Sequence, residues 1–257
     1  MNQRLPIINL LALLVTIAVN VFSNTGLLNG TTVGMVSARY PTLVTPAPYA
    51  FGIWGVIYLL LAVFVVSHFG KNAEIRASVA RVGWWFVASC VANCCWIFAW
   101  LYEWTGLSVL LMIALLFCLV MIVLRTRMEL DDPPARTVVT LWWPFCIYLG
   151  WIMCATLVNV AALLVKTGWT GWGISPEVWA MLAMGITCVL YLGLTWWRNM
   201  REAALVGAWA LAAIGVADGG GSAGVGRAAW LFAAVLLVSS MIHGYLNRKF
   251  APFRRRS

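Results

Sequence analysis

The stretch GLSVLLMIALLFCLVMIVLR, residues 106–125, carries no charge until its last residue. Twenty residues of α-helix rise about 30 Å, the thickness of the hydrocarbon core of a bilayer. A run this long and this apolar predicts a helix that crosses a membrane. Seven further runs have the same character: 5–24, 49–69, 82–102, 138–165, 177–197, 202–217 and 228–246. Together they predict an all-α, polytopic membrane helix bundle of about eight transmembrane helices, of which 202–217 is the shortest. The pieces between them are charged or rich in turn residues, such as Asp131-Asp132-Pro133-Pro134 and Asp218-Gly219-Gly220-Gly221-Ser222. The first run follows Arg4, is long, and has no small-x-small cleavage site before Asn24. It reads as a retained helix, with a secretory signal as the alternative. Composition agrees: 63% of the 257 residues are hydrophobic and 10% are charged, against about 25% charged in a soluble domain. Such a chain cannot clothe a water-facing surface, which excludes a soluble enzyme.

The net charge of +9 would suggest nucleic acid in a soluble protein. Here it tests the topology instead, and no nucleic-acid partner is expected. With the N-terminus in the cytoplasm, the cytoplasmic segments hold Arg4; Lys71, Arg76 and Arg81; Arg125, Arg127 and Arg136; Arg198 and Arg201; and Arg248, Lys249 and Arg254 to Arg256. These are 14 of the 17 Lys and Arg residues. Only Arg39, Lys166 and Arg227 fall in outer segments. The bias alternates loop by loop, as the positive-inside rule requires. It predicts an integral protein of a bacterial cytoplasmic membrane with both termini in the cytoplasm.

Cys90, Cys94, Cys95, Cys118, Cys146, Cys154 and Cys188 all lie inside apolar runs, without zinc-ligand spacing, and read as small core residues. No metal site and no resident cofactor are expected. His68 and His243 fall near cytoplasmic helix ends and read as interfacial. Of the sixteen tryptophans, the pairs Trp84-Trp85, Trp142-Trp143 and Trp196-Trp197 sit at cytoplasmic helix ends. Trp100, Trp104, Trp169, Trp172 and Trp230 sit near the outer surface. Both sets suit the headgroup layer.

A smaller set lies deeper. Trp54 is about five residues into the second run, about 8 Å at 1.5 Å per residue. Asn93 and Trp96 reach comparable or slightly greater depth in the third run. Asn159 lies in the outer half of the fifth with Trp151, two turns before it, nearer the middle, and Asn20 lies near the outer end of the first. A single Asn in lipid ordinarily bonds to a neighbouring helix. Amides and indoles gathered at one level, however, suit a cavity for a flat, apolar ligand. Residues 25–48, the longest connection, contain Arg39, Tyr40, Pro41, Pro46 and Pro48 and read as a stiffened lid over that level.

The stretch from Pro46 to Tyr58 (PAPYAFGIWGVIY) resembles the second-helix entry of the TspO/MBR family, the translocator proteins or tryptophan-rich sensory proteins. Asn93-Cys94-Cys95-Trp96 resembles its third-helix Asn-x-x-Trp. Tyr148, Trp151, Ala155 and Asn159 resemble its fifth-helix Tyr-x-x-Trp-x-x-x-Ala-x-x-x-Asn. Arg39-Tyr40 stands where the family has Trp-Tyr, and Thr45-Pro46 where it has Lys-Pro. The resemblance implies that residues 1–165 form a TspO/MBR-like five-helix ligand-binding bundle. Residues 166–257 then add three transmembrane helices, read as packing or dimer-blocking elements, and a basic tail. It also implies a tetrapyrrole such as porphyrin or haem, or another planar hydrophobic ligand, and a possible homodimer. The expected ligand-binding residues are Phe51, Trp54, Tyr58, Asn93, Trp96, Tyr148, Trp151, Ala155 and Asn159, with Arg39 offered to a ligand carboxylate.

The chain therefore reads as a binder, transporter or sensor of such a ligand. A small-solute secondary transporter or channel is the alternative, but no acid or base lies near the centre of any run to couple or select ions. Catalytic nucleophile motifs, paired carboxylates and phosphate loops are missing from the sequence, so no enzyme is expected. Porphyrin degradation is conceivable by the resemblance alone.

Overall fold

The computed structural model describes residues 4–70, 72–130, 134–221 and 224–247. Lys71, Asp131-Asp132-Pro133, Ser222 and the basic residues from Arg248 onward lie outside the described residues. The helices are α1 (Leu5–Phe22), α2 (Val33–Arg39), α3 (Ile53–Ser67), α4 (Ala73–Val82), α5 (Trp85–Leu101), α6 (Thr105–Arg125), α7 (Ala135–Thr137), α8 (Trp143–Lys166), α9 (Pro176–Arg198), α10 (Arg201–Asp218) and α11 (Val225–Leu246). A 3-10 turn, Pro48–Gly52, leads into α3, and a π turn, Val138–Trp142, leads into α8. Among the described residues there is no strand. The protein is an all-α, polytopic membrane bundle.

Leu5–Phe22, Pro48–Ser67, Thr105–Arg125, Ala135–Lys166, Pro176–Arg198 and Val225–Leu246 are each long and apolar enough to cross a membrane. The two remaining runs depart from that pattern. α5 is 17 residues long and continues α4 across a 52° bend. The bend falls at Gly83, whose φ of 55° is the left-handed conformation that a residue without a Cβ adopts freely. α10 has 18 residues and includes Arg201, Glu202 and Asp218. Those charges lie in its first turn and at its last residue, so its middle remains apolar.

Local chemistry fixes the ends. Thr32 caps α2 by accepting from the Met35 N–H at 3.2 Å, and Asn72 caps α4 by accepting from Glu74 and Ile75. Within the helices, hydroxyls of Thr16, Thr156, Thr187 and Thr195 donate to the carbonyl four residues back. That closes polar groups that lipid could not satisfy.

The core runs through α1, α3, α4, α5, α6 and α8 and continues onto one face of α10 through Ala203, Val206, Ala210 and Ala213. A second cluster lies between α9, α10 and α11. Small residues bring α8 and α10 into close approach. A Cβ on Gly150 would lie 2.8 Å from the Ala203 carbonyl oxygen. Tyr191 of α9, buried in that junction, donates its hydroxyl to the Gly150 carbonyl at 2.6 Å. Two ends of the bundle result. The loop end carries residues 23–52 and the turns after α5, α8 and α10. The basic end carries the turns after α3, α6 and α9.

Candidate functional site

α3 enters from the loop end while α5 and α8 run toward it. Trp54 and Trp96 lie in or near the outer turns of their helices, whereas Tyr148 and Trp151 lie about four turns or more before the outer end of the longer α8. Trp54 and Tyr58, one turn apart on α3, stack at 5.6 Å between ring centroids. The Trp54 ring meets Tyr148 edge-on at 5.9 Å and Trp151 at 6.4 Å. Phe51 also meets Trp151 edge-on, at 5.8 Å. From α5, Trp96 stacks with Trp100 at 6.3 Å.

These rings bound two connected spaces. An inner cleft of about 40 Å³ is lined by Phe51, Trp54, Trp96, Trp100, Trp151, Ala155 and Asn159 under Val33, Ser37 and Pro46 of the lid. An outer chamber of about 1030 Å³ shares Phe51, Trp54, Trp96 and the three lid residues with it. It extends along Tyr58, Asn20 and Asn24 and reaches Val216 and Ala217 of α10. Its polar lining is neutral: amides and hydroxyls, with no charged side chain. The indole N–H groups of Trp96 and Trp151 and the Tyr58 hydroxyl are buried without a hydrogen-bond partner among the described residues. An unpaired buried donor costs about 1–3 kcal/mol, so an acceptor that reached any of the three would recover part of that cost.

The amides work differently from the indoles. Asn93, fully buried, donates to the Tyr148 hydroxyl at 3.1 Å and accepts from Asn20 at 2.9 Å. Asn20 donates as well to the Thr16 carbonyl. Asn93 thus ties α1, α5 and α8 together behind the cavity. Asn159 lines the cleft and accepts from the Ser108 hydroxyl of α6 at 2.8 Å.

Residues 23–52 form the lid. Asn29 donates to the Leu101 carbonyl at 2.8 Å, and the Trp100 indole donates to the Val33 carbonyl at 3.1 Å. At the rim, Arg39 and Tyr40 both donate to the Glu103 carboxylate, and Lys166 donates to the Glu103 carbonyl. The Tyr40 hydroxyl, then Arg39, holds the Glu103 carboxyl below its usual range. Arg39 is therefore placed at the lid's rim, paired with Glu103, and lines neither cavity. The pair is partly exposed, and such pairs contribute at most about 1 kcal/mol. Glu103→Gln is accordingly expected to leave thermal stability nearly unchanged. It should speed amide hydrogen exchange across residues 28–48, read by mass spectrometry. The same loosening is expected in the unsubstituted chain on acidification, because a carboxylate held low keeps its contribution above its usual pKa and loses it as pH falls through the folded value.

Several residues do not sit where the sequence pointed. Trp100, assigned to the headgroup layer, is 3% exposed and walls the cleft. Its neighbour in the lid covers it, and a lid 67 residues away in sequence leaves no local mark. Trp142 is buried too, whereas Trp84, Trp104, Trp172, Trp197 and Trp230 are exposed as expected. His68 and His243 lie at the basic ends of α3 and α11 and are buried there against neighbouring rings. His68 packs edge-on against Phe64 at 4.5 Å, and His243 against Trp196 at 5.1 Å.

At the basic end, Glu129 from the turn after α6, Cys146 of α8 and Glu202 of α10 bring one oxygen or sulfur each within 4.8 Å of one another. Asn199 donates to Glu129 at 3.1 Å, and Arg198 donates to the Val123 and Met128 carbonyls. Burial, and then the Glu202 carboxylate, push the Glu129 carboxyl up to about 8. A carboxyl whose folded pKa is raised favours the folded state in its protonated form. Stability should therefore fall as pH rises from about 4.5, the unfolded value, to about 8. Glu129→Gln is expected to flatten that slope in detergent thermal melts taken across the range. An unchanged slope would place the titrating group elsewhere.

A family model described as TSPO-like protein matches residues 6–242, from the first turn of α1 into the last turns of α11. No curated protein and no solved structure compared with the chain matches it. The match covers the aromatic cleft, the lid and the three C-terminal helices alike. An apolar bundle with a lidded aromatic cavity and a family model spanning almost its whole length lead to one assignment: the chain belongs to the TSPO-like family.

Proposed function

We propose that the protein binds a planar hydrophobic ligand of the tetrapyrrole kind at the loop end of the bundle and acts as its membrane receptor or carrier. Family membership supports ligand binding or sensing in a membrane. The observation that carries the finer reading is the cleft itself: four indoles from three helices, two of them with unpaired N–H groups, around an apolar space under a lid. Trp54, Trp96 and Trp151 would wall a flat ring system. Ala155 leaves room where a larger side chain would intrude. Phe51, Tyr58 and Tyr148 buttress the indoles, Asn93 fixes their helices, and Asn159 offers its amide at the cleft. The inner cleft is too small for a macrocycle, so most of the ligand would occupy the chamber and insert one edge between the rings. A ligand carboxylate would reach Arg39 only by displacing Glu103. The neutral lining disfavours proton-coupled transport. The basic end would face the cytoplasm and the lid the opposite side.

Titration of the reconstituted protein with protoporphyrin IX, in the dark and without oxygen, tests this reading. The Soret band is expected to shift saturably at one ligand per chain. Trp54→Ala should weaken binding about tenfold, the equivalent of losing one aromatic contact of about 1.4 kcal/mol. Equal affinity in parent and variant would overturn it.

A further inference from the structure

We propose that the C-terminal helices complete the binding chamber, with α10 forming one wall and Val216 and Ala217 setting the size of ligand it accepts. The inference rests on the chamber being the binding site. Both residues are exposed and line the chamber together with Trp54, Tyr58 and Thr45 of other elements. The second half of the lid is also held by this part of the chain. The Ala47 N–H donates to the Ala213 carbonyl of α10 at 3.0 Å, and Tyr49 meets Trp209 of α10 edge-on at 5.1 Å. Val44, 4% exposed, packs into the cluster between α9, α10 and α11. The first half of the lid is tied instead to the end of α5. The lid therefore bridges the two parts of the chain, and the chamber lies beneath the bridge. Two small side chains on the last turn of α10 leave that side of the volume open, and bulk placed there would narrow it.

Two measurements on the full chain in liposomes test this. The first needs no ligand. Ala217→Cys is labelled with a charged thiosulfonate reagent, over the background of the unsubstituted chain, alone and together with Thr45→Trp or Ser37→Trp. Either tryptophan crowds the chamber from the lid side, opposite α10, so labelling should slow about tenfold or more, as expected where added bulk must be displaced. Equal rates with both tryptophans would show that α10 does not wall the chamber and would overturn the inference. The second is protoporphyrin titration of Ala217→Trp and Val216→Trp, with Leu231→Trp on the exposed face of α11 as control. The first two should raise Kd about tenfold, the equivalent of 1.4 kcal/mol of overpacking, and the control should not. Parent-like binding by both α10 variants would overturn the size-setting role. Failure of the parent chain to bind protoporphyrin would refute the ligand reading alone, because the labelling result decides the wall by itself.

Discussion

Gly150→Leu is expected to lower the stability of the bundle by at least about 3 kcal/mol, the upper part of the range for overpacked cores. A Cβ at this position would lie 2.8 Å from the Ala203 carbonyl oxygen, 3.0 Å from its Cα and 3.1 Å from the Val206 Cβ. Two of those atoms are backbone of α10, so no rotamer change relieves the clash and the helices must part. Replacing a helical glycine ordinarily gains up to about 1 kcal/mol of propensity, so the sign of the change reports the contact. Parting the helices would also stretch the Tyr191 hydrogen bond to the Gly150 carbonyl, costing about 1 kcal/mol more. Gly106→Ala on α6 is the control, because nothing lies within 4 Å of its added Cβ. Thermal melts in detergent should show a fall of roughly 10 °C for Gly150→Leu, given 2–4 °C per kcal/mol at this chain length. The control should be unchanged or slightly raised. Equal melting temperatures for parent and Gly150→Leu would mean that α8 and α10 are not packed as described.

Trp151→Ala should cost a similar amount and also disable the site. The indole is 2% exposed and makes edge contacts with both Phe51 and Trp54. Truncating a buried Trp costs about 3–5 kcal/mol, including edge contacts of about 0.5–1.5 kcal/mol each. A double-mutant cycle with Phe51→Ala should return a coupling in that second range, since both side chains lose the same contact. The folded fraction, isolated by size exclusion, should bind protoporphyrin more weakly than Trp54→Ala does, because both Phe51 and Trp54 lose their support. Binding equal to the parent in folded Trp151→Ala would show that the cleft is not where the ligand sits.

The spans were readable because the thickness of hydrocarbon sets a length that composition must meet. The runs read as 5–24 and 106–125 fold as Leu5–Phe22 and Thr105–Arg125. The aromatic cleft was readable only in part. Counting 1.5 Å per residue from the outer ends put Trp54 and Trp96 at similar depth, with Asn159 in the outer half of its helix. Trp151 lies nearer the middle of its run by the same count, and it is seen to meet Trp54 only in the folded bundle. Contacts across the chain were not readable. Trp100 counts as a surface residue by depth and is buried by a lid carbonyl it donates to. Arg39 reads as a free cation until Glu103, 64 residues away, is seen beside it. Glu129 and Glu202 lie at ends of apolar runs, where a charge looks solvated, and the folded turn buries the first against the second. Val216 and Ala217 are small and apolar like most of their helix, and only the position of α10 gives them a place on the chamber wall.

The most direct test of the central claim is an experimental structure of the protein with protoporphyrin IX. The account predicts ligand density in the chamber, with one edge of the macrocycle between Trp54, Trp96 and Trp151 and an acceptor within hydrogen-bond reach of an indole N–H. Density on the lipid-facing surface, with the three indoles packed as they are here and the chamber filled by acyl chains or by lid residues, would contradict it.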